Sequence, residues 1–424
     1  MLDELFDPAK IELIAPDPRG SLAHQACRLG GRLALDLGLL LEVAREELGE
    51  ARLDPLLGRV ELEHLRGHES LDEGPGDPLD LSERGPHAGA LDRGGAFCKP
   101  SFDSLHPSRY LDERLNRPPI RKPPRIRSGD AVGVIAPSGA VDEDTLGAGV
   151  KVLERWGLRV MLGNGVLARR AYLAGDDGVR RGDLERMIAA PEPRAIFCAR
   201  GGYGSQRLLP LLDFASLVAH PKAIVGYSDA TALLNAVVGA GAMAVHGPMI
   251  ADDLATGLTA RSVERLWAVL SDSEYVWEDE VPETVRAGCA EGRLVGGCLS
   301  VLAATLGTPH APDTAGAILF LEDVHEFPYR LDRLLTQLRQ AGKLDAIAGL
   351  VFGTMAACRG VAGVHPLDVV RGFFADAPYP VGIGLPAGHD PAPGMRENHA
   401  LPLGVRVRLD TDRGRLVALE PAVV

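Results

Sequence analysis

From Ala131 to Gly239 short apolar runs alternate with segments of helical spacing, and this rhythm constrains the fold more than any other feature of the chain. AVGVI (131–135) reads as a buried strand that ends in the turn residues of APSG. The pattern then predicts a helix over about Thr145–Trp156, a strand Arg159–Leu162, a helix Arg180–Ala190 and a strand Ala195–Ala199. After the loop RGGYGS come a predicted helix Arg207–Leu212, a strand Ala223–Tyr227 and a helix Asp229–Gly239. Strands separated by helices need crossover connections, so the expected fold class is α/β, with a parallel sheet covered by helices on both faces. Ligands of such sheets bind at the carboxyl ends of the strands. Both the RGGYG loop and Ser228 fall there.

The flanking regions read differently. Residues 1–119 are predicted to be an extension, largely disordered, apart from one amphipathic helix over 32–48. Their Gly-, Pro- and charge-rich middle cannot bury enough apolar surface to offset its ordering entropy. His64, His68, His87 and His106 lie there at irregular spacing and read as solvated. The Pro- and Arg-rich linker NRPPIRKPPRIRSGD then leads into a first domain over 120–270. Residues 271–293 turn polar and irregular and read as an interdomain connection. A smaller α/β domain over 294–424 follows, with strands in GAILFLED, GLVFGT and PVGIG. A helix between them carries Leu331, Leu334, Leu335 and Leu338 on one face, and VRVRLDTD and RLVALEP close the chain as antiparallel or edge strands.

Composition narrows the partners. The formal net charge of −13 argues against a nucleic-acid or anionic-membrane surface, which needs clustered Lys and Arg. An anionic substrate would have to be drawn in locally, by a few placed arginines. The six cysteines show neither CxxC nor zinc-ligand spacing, so reduced thiols in a cytoplasmic protein are expected. No basic-then-apolar leader is evident, and no uncharged run is long enough to span a bilayer.

At the strand ends, Ser228 follows an apolar strand and precedes a helix. Such a serine presents its hydroxyl on a tight turn, and the following N–H groups can stabilise an oxyanion. The competing reading is a plain helix cap. Gly201, Gly202 and Gly204 permit close backbone approach to a ligand, although a simple glycine turn has the same composition. Arg200 can pair with a substrate carboxylate or with a surface acid. A serine nucleophile needs a base, and the base an orienting acid. His220 and His365 precede proline and read as structural; His310 and His399 sit in polar or Pro-rich turns. His246 ends an apolar strand, His325 follows one, and His389 lies in a Gly-flanked loop. Glu322 is an unusual charge at the end of an apolar run, with Asp323 and Glu326 as competitors. On the residues alone the choice stays open.

Five stretches in order close it by resemblance: APSG (136–139), ARGGYGSQRLLPLLD (199–213), GYSDATALL (226–234), FLEDVHEFPYRLDRLLTQL (320–338) and GLPAGH (384–389), with HGPM (246–249) in agreement. From about Arg125 to Val424 the chain resembles the LD-carboxypeptidase family of serine peptidases, which also contains the microcin C immunity proteins. The resemblance implies Ser228 as nucleophile, Glu322 as orienting acid and His389 as general base and acid, the first in one domain and the others in the next. It implies an oxyanion hole from the N–H groups of Asp229 and Gly202, and substrate contacts from Arg200, Tyr203 and Ser138. The implied reaction is acyl transfer that removes terminal D-Ala from a murein tetrapeptide, with no metal or cofactor and with a homodimer as the family's common state. Rivals are an immunity-type hydrolase of peptidyl nucleotides and a muropeptide-binding protein with an idle triad. One departure is GGCL, where Cys298 stands in place of the family's usual Asn.

Overall fold

The computed structural model describes residues 119–361, 363–390 and 396–424, all within a single compact unit, Cys98–Val424. The helix predicted at 32–48, the disorder predicted for the rest of the extension and its four histidines fall outside the described residues. The first lobe contains β1 (Ala131–Ile135), α1 (Glu143–Arg155), β2 (Arg159–Leu162), α2 (Asp177–Ala189), β3 (Pro193–Cys198), α3 (Ala215–Ala219), β4 (Ala223–Gly226), α4 (Thr231–Ala240), β5 (Ala244–His246) and α5 (Ala260–Ser271). The second lobe contains β6 (Glu278–Glu280), β7 (Glu283–Arg286), β8 (Cys289–Cys298), α6 (Leu299–Ala304), β9 (Ile318–Val324), α7 (Pro328–Gln340), β10 (Gly349–Ala356), α8 (Pro366–Phe373) and β11 (Val381–Ile383). It is followed by β12 (Leu401–Leu403), β13 (Arg406–Asp410) and β14 (Arg415–Ala418).

The first sheet has the order β12-β5-β4-β3-β1-β2, parallel except for β12. Its strands read as buried runs because both faces are covered: β1 and β4 are buried at every position. Helix α1 starts where Asp142 caps it, accepting from the N–H groups of Asp144 and Thr145, and α2 starts at Asp176 in the same way. Helix α4 stops at Gly241, whose φ of 100° suits a left-handed terminus.

The second sheet has the order β6-β14-β13-β8-β9-β10-β11-β7, a parallel centre with antiparallel flanks. Strand β9 shows why the lobes meet where they do. Its period of two sends Ile318 and Phe320 into the core shared with the first lobe, and Leu319 and Leu321 into a second core under α7 and α8. Glu322 follows Phe320 on the first of these faces. On α7, Leu331, Leu335 and Leu338 are buried as the spacing requires, and Leu334 is half-buried against them.

Three sequence expectations change. The helix over Arg207–Leu212 is two short 3-10 turns, Ser205–Arg207 and Leu209–Leu211, because Pro210 interrupts an α-helix. The stretch 271–293 is not irregular: β6 and β7, the two edge strands of the sheet, and the first half of the interior strand β8 lie in it, and in β6 Glu278 and Glu280 are exposed while Asp279 between them is buried. Strand β12, from near the end of the chain, completes the first sheet rather than the second, with Leu401 paired to His246. No helix among the described residues is long and apolar enough to cross a membrane.

Candidate active site

Ser228 leaves the end of β4 with φ 57°, a left-handed conformation that side chains rarely adopt. It opens a 3-10 turn, Ser228–Ala230, that runs into α4, and no side chain caps either element. The helix-cap reading of this serine therefore does not hold. The turn is strained and the hydroxyl half-buried at its apex.

The RGGYG loop comes against it. A Cβ at Gly201 would sit 2.9 Å from both Cβ and Oγ of Ser228, so only glycine fits. Gly202 is exposed with φ 104°. Asp229 holds the loop in place: its Oδ2 accepts from the Ser205 N–H at 2.8 Å, and its carbonyl from the Ser205 hydroxyl at 2.5 Å. Arg180 does the same from beneath, a fully buried guanidinium donating to the carbonyls of Gly204 (2.8 Å) and Pro137 and to Asp177. Nothing in the local sequence marks Arg180, since its two carbonyl partners come from other loops and only Asp177 from its own helix.

Glu322 and His389 meet in the second lobe. Glu322 Oε2 accepts from His389 Nδ1 at 2.7 Å and from the His389 backbone N–H at 3.1 Å. A Cβ at Gly388 would fall 2.6 Å from that oxygen, so glycine again permits the approach. The loop is pinned by Gly388 N–H to Asn398 Oδ1 (3.0 Å) and by Thr354 N–H to the Ala387 carbonyl (3.0 Å). Burial works against the imidazolium, but the Glu322 carboxylate outweighs it and holds His389 above its ordinary 6.5. Burial likewise opposes ionised Glu322, and the facing His389 brings its carboxyl below the usual range. The His389 ring lies edge-on to Tyr227, centroids 4.9 Å apart, which brings it beside the residue that precedes Ser228.

Tyr227 donates to Asp253 at 3.2 Å, and burial pushes the Asp253 carboxyl up to about 6. His246 packs against Tyr227 and Phe320 with neither ring nitrogen hydrogen-bonded, and burial drives it down to about 4. A neutral, enclosed ring cannot be the base that titrates near neutrality. Cys298 is buried, its N–H on Thr231 Oγ1 (3.1 Å) and its sulfur 3.3 Å from Ser300 Oγ and 3.5 Å from Asp323 Oδ1. Asn235 of α4 bonds the Gly296 carbonyl (2.8 Å) and N–H (3.2 Å), tying the two lobes together.

Among the other expected contacts, Arg200 donates to the Ala140 carbonyl at 3.0 Å and Tyr203 stands 47% exposed. Ser138 is completely buried, and its hydroxyl has no hydrogen-bond partner among the described residues. Of the competing histidines, His365 caps α8, and His399 lies buried against Asp279.

Residues 132–247 match the LD-carboxypeptidase N-terminal domain and residues 291–409 the LD-carboxypeptidase C-terminal domain. A Streptomyces coelicolor relative is 41% identical over 323 residues, covering 71% of this chain and 97% of its own. The murein tetrapeptide carboxypeptidase of Pseudomonas aeruginosa is 37% identical over 301 residues, covering 67% and 94%. The solved muramoyltetrapeptide carboxypeptidase of Oxalobacter formigenes superposes with a TM-score of 0.61 at 30% identity, covering 68% of this chain and 97% of that one. Fold and likeness together define a serine peptidase that acts as a carboxypeptidase. The chain belongs to the LD-carboxypeptidase family.

Proposed function

We propose that Ser228, His389 and Glu322 form the catalytic triad of a murein tetrapeptide carboxypeptidase, with the nucleophile from the lobe over 120–270 and its partners from the lobe over 294–424. The observation that carries this reading is the 2.7 Å bond between His389 Nδ1 and Glu322 Oε2 beside the strained Ser228 turn. Glu322 fixes the tautomer in which Nε2 is free to accept the Ser228 proton. The alkoxide attacks the carbonyl of the L-centre that bears the terminal D-Ala, and the N–H groups of Gly202 and Asp229 receive the oxyanion. His389 then protonates the leaving amine, D-Ala departs, and water hydrolyses the ester on Ser228 by the same steps in reverse order. Arg200 and Tyr203 contact the substrate from the loop beside the nucleophile. Murein fragments returned during wall turnover place this activity in the cytoplasm, and paired subunits are the expected assembly.

Incubation of the purified protein with murein tetrapeptide is expected to release D-Ala, and Ser228→Ala to lower kcat by on the order of 10⁴-fold or more. A fluorophosphonate should label the wild type and spare that variant. An aminoacyl sulfamoyl nucleotide, the substrate type of the immunity-protein alternative, should turn over far more slowly. Absence of D-Ala release from correctly folded protein would overturn the assignment.

A further inference from the structure

An open pocket of about 350 Å³ adjoins the Ser228 turn, floored by Gly139 and Gly202 and walled by Arg169, Tyr172, Arg200 and Tyr203. Three loops at strand ends build it, and backbone bonds fasten them to one another. The Gly139 N–H donates to the Gly201 carbonyl at 2.9 Å, and the Ala140 N–H to the Tyr172 carbonyl at 3.3 Å. A Cβ at Gly139 would meet the Gly201 oxygen at 2.8 Å, so the floor must stay bare. The two tyrosine side chains, by contrast, stand open to solvent. Tyr172 is 64% exposed, and its ring centroid lies 6.0 Å from that of Tyr203. Tyr172 sits on a two-residue turn closed by reciprocal bonds between Arg170 and Leu173 (2.9 and 3.0 Å). The turn's other central residue, Ala171, is held at φ 52°, a strained value for alanine. Strain of this kind persists where the surrounding fold imposes it, and it gathers at ligand clamps.

The charges in the pocket are uneven. Arg200 is partly spoken for, by the Ala140 carbonyl and by Asp252 at 3.9 Å. Asp177, across Tyr172, is occupied by Arg207 and Arg180. Arg169 is exposed and has neither an ion pair nor a hydrogen bond among the described residues, so none of them offsets its guanidinium charge on a protein of net charge −13. A guanidinium fork matches a carboxylate, and tyrosine adds a hydroxyl donor and a flat apolar face. Position completes the case. Gly201 lies between Arg200 and Gly202, and its side-chain position touches Ser228 Oγ. Successive Cα atoms of a bound peptide are about 3.8 Å apart, so a carboxylate one or two residues from the scissile carbonyl comes within an arginine's reach of this wall.

We propose that Arg169, Tyr172, Arg200 and Tyr203 form a carboxylate-binding subsite of the peptidase, and that Arg169 determines specificity for a free carboxylate of the peptide substrate. The proposal rests on Ser228 being the nucleophile. Its test compares wild type, Arg169→Gln and Arg169→Lys on three murein tetrapeptides: the free peptide, the C-terminal amide, and the peptide amidated at its other carboxylates. Arg169→Gln should lower kcat/KM on the free peptide about 10- to 100-fold, the worth of a charge-assisted bond, with partial rescue in Arg169→Lys. The loss should vanish on one of the two amides, and which one identifies the carboxylate held. Unchanged activity on the free peptide overturns the proposal, as does an equal loss on all three peptides. Calorimetry of the free peptide and its amides with Ser228→Ala protein, with and without Arg169→Gln, separates the two readings. Arg169-dependent binding without any turnover by the wild type would sink the proposed reaction and keep the subsite; turnover without Arg169 dependence would do the reverse.

Discussion

His389 and His399 each place Nδ1 on a buried carboxylate, Glu322 at 2.7 Å and Asp279 at 2.8 Å, yet the two pairs are built for different ends. Asp279 also receives a two-pronged bond from Arg265 (2.9 and 2.7 Å), which in turn lies over the Trp277 ring. Burial opposes its charge, and His399 and Arg265 together hold the carboxyl below its usual range. The far nitrogen of His399 is sealed from solvent and lies 3.1 Å from Glu397 without hydrogen-bond alignment. Among the described residues no arginine pairs with Glu322, and one of its oxygens has no hydrogen-bond partner. His389 keeps 18% of its side chain open and faces the aromatic ring next to Ser228. A carboxylate already matched by a guanidinium uses histidine as a brace. One whose principal cation is the imidazole can instead set that ring's basicity.

The contrast can be broken most sharply at Glu322. Glu322→Gln keeps an acceptor for Nδ1 but removes the charge, and kcat should fall about 10³- to 10⁴-fold. His389 must be neutral to take the serine proton, so wild-type activity is expected to fall as pH drops through a pKa above 6.5. In the variant that acid limb should move to lower pH, as kcat/KM profiles would show. A loss under tenfold with an unmoved limb would make Glu322–His389 a brace like the other pair.

Next in size is Asp279→Asn. It leaves Arg265 buried without its counter-charge and should cost about 3–5 kcal/mol of stability in urea unfolding. The activity of the fraction that remains folded should stay within about twofold, since nothing in the pair touches the Ser228 turn. The smallest effect is a difference in stability between two inactive variants at Ser228. Both Ser228→Ala and Ser228→Gly lose the hydroxyl, but glycine accepts φ 57° without strain and should be more stable than alanine by about 0.5–1 kcal/mol. Equal melting temperatures would mean that the turn stores no strain.

Much of the first lobe is legible from local pattern, because apolar runs such as Val160–Leu162 and Ala223–Gly226 are set off by nearby turn formers, Gly157 and Gly163 around the first and Pro221 ahead of the second. What escapes are pairings made at a distance. The polar alternation of EDE and ETVR looks like linker until a neighbouring strand supplies its partner, and Leu401–Leu403 carries no mark of the sheet it joins. The site divides in the same way. Ser228 and Glu322 stand out as polar residues at the ends of apolar strands. Arg180, Asp253 and Asn235 do not, because each answers to backbone or side chains brought in by another segment. His389 could not be singled out from its rivals by local spacing; resemblance singled it out, and the geometry sets it on Glu322.

The pairing of β12 with β5 has a consequence for how the protein is made. The strand that closes the edge of the nucleophile-bearing sheet leaves the ribosome roughly 150 residues after its partner, about 8–30 s later at 5–20 residues per second. Until then the first lobe has an open sheet edge, the second lobe's face is missing from the shared core, and neither the histidine nor its glutamate has folded into position. The nascent chain therefore carries a serine without a base, and hydrolytic competence should arise only once the second lobe and β12 have been made and dock on the first lobe.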